Sequence, residues 1–181
     1  MVSQTPPLSN LSKIAPPPHR TVTLDSIDRQ LLMLLARDAR VSQRGLAREL
    51  RMSPPAIGDR IARLEREGVI RGYSAVIDWT VLGYVTCYLA VTATADADQG
   101  AVMSALHELP EVEDIAVITG SLDMLVRLRV RDHVHLRQFL LEHVWQLAGV
   151  QRTETFLSLA ELPSKHLALT LFDDEIEESA R

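Results

Sequence analysis

The 181-residue chain has a single cysteine, Cys87, so no disulfide can form within it and a reducing cytoplasm fits. No basic segment followed by an apolar stretch opens the chain, so no secretory signal is expected. No run of about 18 apolar residues occurs, so no membrane span is expected either. A glycine-rich phosphate loop is missing, and so is any legible Ser/His/Asp or Cys/His arrangement. The six histidines are His19, His107, His133, His135, His143 and His166. The pair His133-x-His135 has no third ligand nearby, so the histidines read as surface residues, with no metal and no cofactor expected.

Positive charge is also scarce overall, at −5 net, but the balance is uneven along the chain. Residues 24–78 hold ten arginines against eight acids, whereas residues 79–181 hold seven basic against sixteen acidic groups. A weakly basic part joined to an acidic part suggests two jobs. An acidic protein can still bind nucleic acid where one face is locally positive.

That face is sought in Ser42 to Gly68, SQRGLARELRMSPPAIGDRIARLEREG. Ser42 suits a helix cap, and Leu46, Ala47 and Leu50 give the helix an apolar side. Arg51-Met52 breaks the pattern. Ser53-Pro54 restarts it with a cap and a proline at the first helical position, where no backbone donor is needed. Ile57, Ile61 and Leu64 then share one buried stripe at i, i+4 and i+7. At about 100° per residue, Asp59, Ala62, Arg63 and Arg66 point away from it and Arg60 lies on the flank. A short helix, a turn and a second helix with a cationic outer side is the helix-turn-helix arrangement, which offers its second helix to the major groove.

Around that centre the chain divides into an extended or disordered Pro-rich tail (1–23), a winged helix-turn-helix domain (24–78), a linker (79–83), a second domain (84–162) and an acidic, solvated tail (163–181). In the first domain Asp25 caps a helix with Asp28 in its first turn, and Ile27, Leu31, Leu34 and Leu35 form its stripe. The helix closes a three-helix core. Val69 to Ile77 reads as a small hairpin, or wing, with Arg71 at its tip. In the second domain strands near Val85–Val91, Val112–Thr119, Met124–Val130 and Val150–Leu159 alternate with helices Gln99–Leu109 and His133–Leu147. The order βαββαβ predicts an α+β, ferredoxin-like arrangement, with two helices on one face of an antiparallel sheet. Large apolar groups on the other face, Tyr84 and Tyr88 among them, predict a homodimer that packs sheet on sheet.

Four stretches in order resemble the Lrp/AsnC transcriptional regulators of bacteria and archaea: LDSIDRQLLMLL, LARELRMSPPAIGDRIARLEREGVIRGYSAVID, TGSLDMLVRLRV and LAGVQRTETFLSL. The resemblance spans about Leu24 to Leu162. It implies an N-terminal DNA-binding domain and a C-terminal effector-binding, dimerising domain, with dimers often assembling into octamers. By position it implies that Pro55, Ala56, Asp59, Arg60 and Arg63 lie on the reading helix. It also implies an effector, usually an amino acid, beside Gly120, Ser121, Leu122 and Asp123. A free amino acid needs N–H donors for its carboxylate and an anionic partner for its ammonium; a glycine turn can expose the first and Asp123 can supply the second. The family turn usually reads Gly-Asp-x-Asp, so Ser121 stands where a carboxylate is common, and Met124 where an aromatic is.

The implied protein is a sequence-specific DNA-binding regulator that answers to a small effector. Ser53 and Pro54 at the helix start, with Arg60, discriminate bases; Arg63, Arg66 and Arg71 hold phosphates. Gly58 should cost about 1 kcal/mol relative to alanine and is explained here by close approach to the DNA backbone. Two other readings fit the residues less well: an enzyme like the sirohaem decarboxylases, which resemble the family in fold, and a sequence-tolerant organiser of the nucleoid.

Overall fold

The computed structural model describes residues 21–179, with side chains through residue 173; residues 1–20 of the expected Pro-rich tail lie outside the described residues. The described chain forms two compact units, one of residues 77–161 and one of residues 21–76 together with 162–179.

In the second of these units three helices follow their caps. Helix α1 (Ser26–Arg37) starts from a reciprocal box: the Asp28 amide donates to Asp25 Oδ1 at 2.7 Å and the Asp25 amide to Asp28 Oδ2 at 3.1 Å. Ser42 caps α2 (Gln43–Glu49) by accepting from the Gly45 amide at 3.1 Å. Ser53 caps α3 (Pro54–Arg66) by accepting from Ala56 at 3.3 Å, with Pro54 first in the helix. Leu31, Leu46, Ala47, Leu50, Ile57 and Leu64 make the shared core. The expected stripe on α3 therefore faces inward, with Ile57 and Leu64 fully buried.

Two expectations for this unit need correction. The hairpin over Val69–Ile77 is not formed: residues 71–78 carry no ladder, and Val76 is 94% exposed. A strand is held by its neighbour, and this segment faces no second strand within the described chain. Tyr73 instead donates to Glu65 Oε1 at 3.2 Å. At the other end, the supposed solvated tail becomes α6 (Ala168–Ser179), packed on α1. Leu169 and Phe172, at i and i+3, are half-buried and give that helix a side to anchor by.

The other unit is a four-stranded antiparallel sheet in the order β2-β3-β1-β4. Its elements are β1 (Val85–Ala93), α4 (Gln99–His107), β2 (Val112–Val117), β3 (Met124–Val130), α5 (His133–Gln138) and β4 (Val150–Leu157). Cys87, Leu89 and Val91 alternate inward from β1 onto Met124, Val126, Leu128 and Val130 of β3 and onto Val102, Leu106, Phe139 and Val144 of the helical layer. Burial pushes the Cys87 thiol up from its ordinary range. The second helix departs from the regular form expected to Leu147. After α5 the chain makes a π turn over Phe139–His143 and a 3-10 turn over Val144–Gln146. Phe139 and Val144, five residues apart, are both buried, and the wider π turn is what puts that spacing on one side.

The sheet face away from the helices is less apolar than the sequence suggests. Register pairs Tyr88 with Arg127 and Phe156, and Thr86 with Arg129. Arg127 bonds Asp114 at 2.5 Å, and Arg129 bonds Glu113 at 2.8 Å. Tyr84 precedes the sheet and meets Trp79 edge to face, with ring centroids 5.7 Å apart.

Candidate functional site

The start of α3 presents Ser53, Pro54, Pro55 and Asp59 to solvent, with Ala56 half-buried behind them. Its two middle arginines point elsewhere. Arg60 bonds Asp25 Oδ2 at 2.6 Å and Asp28 Oδ1 at 2.7 Å; Arg63 bonds Asp28 Oδ2 at 2.5 Å. The sequence pattern placed Arg63 on the outer side and Arg60 on the flank, and gave both to DNA. Their backbone positions agree with that, but both long side chains bend back to the first turn of α1. The attraction is Asp28, a carboxylate only 1% exposed, whose buried charge calls for a cationic partner.

Asp28 is the hinge of this cluster. Burial alone would raise its pKa, but hydrogen bonds from Arg63, the Asp25 amide and Arg60 outweigh it and hold the carboxyl below its ordinary range. Arg60 is raised in turn, first by its bond to Asp25 and then by Asp28. α3 is thus fixed against α1 by charge as well as by the Ile57/Leu64 contact.

Other arginines remain outward. Arg66 at the end of α3 and Arg71 beyond it are exposed and carry no ion pair with a described residue. The same holds for Arg44 and Arg48 on α2 and for Arg51, whose φ of 53° puts it in the left-handed region between the two helices. Arg44 and Arg48 were counted in the sequence only as part of the charge, and Arg51 as the break between the two helices. Their signal was there, since Arg44 and Arg48 lie four apart, away from Leu46, Ala47 and Leu50. A Cβ on Gly58 would stand 3.5 Å from the Gln43 side-chain amide on α2, ordinary contact, so the packing of the two helices does not itself require a glycine there.

In the sheet unit, Gly120 to Asp123 joins β2 to β3. Gly120 has φ 127° and open space where a Cβ would be, so the turn is accessible. Gly120 and Ser121 are exposed, and Leu122 and Asp123 half-buried. Asp123 is tied to its own sheet: Oδ2 accepts from the Ala93 amide at 2.8 Å, and its amide donates to Val91 O at 3.0 Å. The carboxylate expected to meet an ammonium thus already holds the end of β1.

Residues 24–71 match the model of a winged helix-turn-helix DNA-binding domain, and residues 86–166 match that of the Lrp/AsnC ligand binding domain, which makes the chain a DNA-binding protein with a ligand-binding module. An HTH-type transcriptional regulator of Pyrococcus abyssi is 36% identical over 137 residues, covering 75% of this chain and 86% of that one. The leucine-responsive regulatory protein of Escherichia coli K12 is 32% identical over 145 residues, covering 77% and 87%. A transcriptional regulator of Neisseria meningitidis, solved in complex with L-methionine, shares the fold with a TM-score of 0.74 at 23% identity, over 80% of this chain and 95% of its own. The chain belongs to the Lrp/AsnC family of transcriptional regulators.

Proposed function

We propose that this regulator reads a specific operator with the first turns of α3 and answers to an amino acid at the Gly120–Asp123 turn. One observation carries the DNA half: Ser53, Pro54, Pro55 and Asp59 are exposed at the start of α3, and Arg44, Arg48, Arg51, Arg66 and Arg71 are exposed with no ion pair among the described residues. Ser53, Pro54, Pro55, Ala56 and Asp59 discriminate base edges; the outer arginines hold phosphates. Arg60 and Arg63 act one step back, by holding α3 in place. Binding of L-methionine by the Neisseria regulator supports an amino acid as effector. Half-exposed Tyr88 and its register partner Phe156 support a sheet-to-sheet homodimer, and dimers of this kind build the octamers of the family. Two reading helices then enter major grooves about 34 Å apart, on a site of approximate two-fold symmetry. Regulation rather than catalysis is supported by the relatives, and a cytoplasmic place by binding to DNA; among the described residues no helix is long and apolar enough to cross a membrane.

The effector shifts DNA binding only as far as it binds two assemblies unequally. The test is selection of an operator from random duplexes, followed by titration at several salt concentrations. Arg66→Ala and Arg71→Ala are expected to weaken all duplexes alike and to lower the salt slope by about one each. Binding that ignores sequence in competition would replace this reading with that of a DNA organiser. For the ligand half, Asp123→Asn keeps an acceptor for the Ala93 amide while removing the charge. It is expected to abolish the effector response and leave operator binding intact; an unchanged response would move the site off the turn.

A further inference from the structure

The packing of α2 against α3 leaves Gly58 unexplained. Glycine is among the poorest residues for a helix interior, and Gly58 is not in the left-handed region that would call for one. Its surroundings offer a reason. The Gln43 side chain of α2 reaches across to α3, and both Oε1 and Nε2 stand 3.5 Å from where a Cβ on Gly58 would lie. The amide carbon is behind them, at 3.7 Å. The polar end of the amide therefore leans over the space that a side chain at position 58 would occupy. A methyl group is in ordinary contact there, but a longer side chain would cover both atoms.

The amide has no other task in the fold. Gln43 is exposed, and its side chain makes no hydrogen bond with a described residue. Its place is beside the exposed start of α3. On one flank of that helix Arg60 and Arg63 turn to α1. Gly58 is on the opposite flank at about 100° per residue, with exposed Pro54 and Pro55 one turn before it on the same surface.

A neutral amide suits a base better than a phosphate. Phosphate oxygens only accept, so they would use the amide N–H groups and leave its carbonyl idle. In the major groove adenine alone sets a donor, N6–H, beside an acceptor, N7. Guanine offers two acceptors, cytosine a donor and thymine an acceptor, and a glutamine amide closes two hydrogen bonds on the adenine pair. We propose that Gln43 reads one adenine in each half of the operator, as a base contact made from α2. The inference rests on the reading of α3 as the helix in the major groove and extends that surface to the helix before it.

The test compares operators selected from random duplexes by the full-length wild-type protein, by Gln43→Ala and by Gln43→Glu. Alanine is the better helix former and Gln43 is exposed, so Gln43→Ala should keep its circular dichroism spectrum; carrying no charge change, it should also keep the salt slope of binding. The wild-type operator is expected to hold an adenine at one position of each half-site. Replacing that base pair should weaken the wild-type protein by about 5- to 150-fold, the range of a bidentate contact, and leave Gln43→Ala unaffected. Gln43→Glu keeps the length and loses the donor to N7, so it should select cytosine at that position. The assignment is overturned if Gln43→Ala retains every base preference of the wild type, or if Gln43→Glu still selects the adenine. It is also overturned if Gln43→Ala weakens all duplexes alike, which marks a phosphate contact. A wild-type protein that selects no sequence overturns the reading of α3 as well, so the two failures are told apart.

Discussion

Replacing Asp28 by alanine removes the carboxylate on which Arg60 and Arg63 converge, together with the reciprocal bond to the Asp25 amide. Each charge-assisted hydrogen bond of this type contributes about 1.5–3 kcal/mol. Stranding a buried charge costs about 3–5 kcal/mol, but the arginines here are 26% and 33% exposed and can swing into water. The expected loss is therefore about 2–3 kcal/mol, confined to the helical unit. The two units can be watched separately, because Trp79 and Trp145 both lie in residues 77–161. In urea, a helix-weighted circular dichroism transition should move to lower concentration in Asp28→Ala while the tryptophan transition stays put. The pH dependence has a definite sign. The folded carboxyl lies below the ordinary value of 3.8, so its stabilisation is full above the unfolded pKa and is lost as pH falls through the folded one. The difference between wild type and Asp28→Asn should shrink over that acid window and vanish below it. Equal stability of the two proteins at neutral pH would refute the reasoning, and so would a tryptophan transition that shifts along with the helical one.

Other perturbations have equally direct readouts. Gly149 has φ 92°, and a Cβ there would stand 2.8 Å from the Ala97 Cβ; Gly149→Ala should destabilise the sheet unit by about 2–4 kcal/mol, read by tryptophan fluorescence in urea. Gly58→Ala, with only ordinary contact to Gln43, should stabilise the helical unit by up to about 1 kcal/mol and leave operator affinity unchanged in a gel-shift titration. Asp123→Ala, unlike the asparagine variant, strands the Ala93 amide and should cost the sheet unit about 1–2 kcal/mol in addition to its effect on the ligand.

Helix positions were legible because capping and apolar spacing are local properties. Asp25, Ser42 and Ser53 each start the helix they were expected to start, and the Ile57/Leu64 stripe faces inward. Met124 to Val130 is the expected strand, since its alternation has one period and one buried side. What could not be read was where long side chains go once a distant charge is near. Arg60 and Arg63 find Asp25 and Asp28 more than thirty residues away in sequence, and no helical wheel of α3 contains that fact. The π turn was hidden for a similar reason: the spacing of Phe139 and Val144 suits a regular helix badly, but only the packed core decides between bending the helix and exposing a side chain.

Helix α6 changes how the molecule can be taken apart. The DNA-binding half is not a continuous piece of chain, because its last helix is supplied from beyond the ligand-binding half. A fragment ending at Val76 would expose the side of α1 that Leu169 and Phe172 cover, and a protein cut after Glu161 would suffer the same loss at its far end. Measurements on residues 21–76 alone would therefore describe an incomplete body.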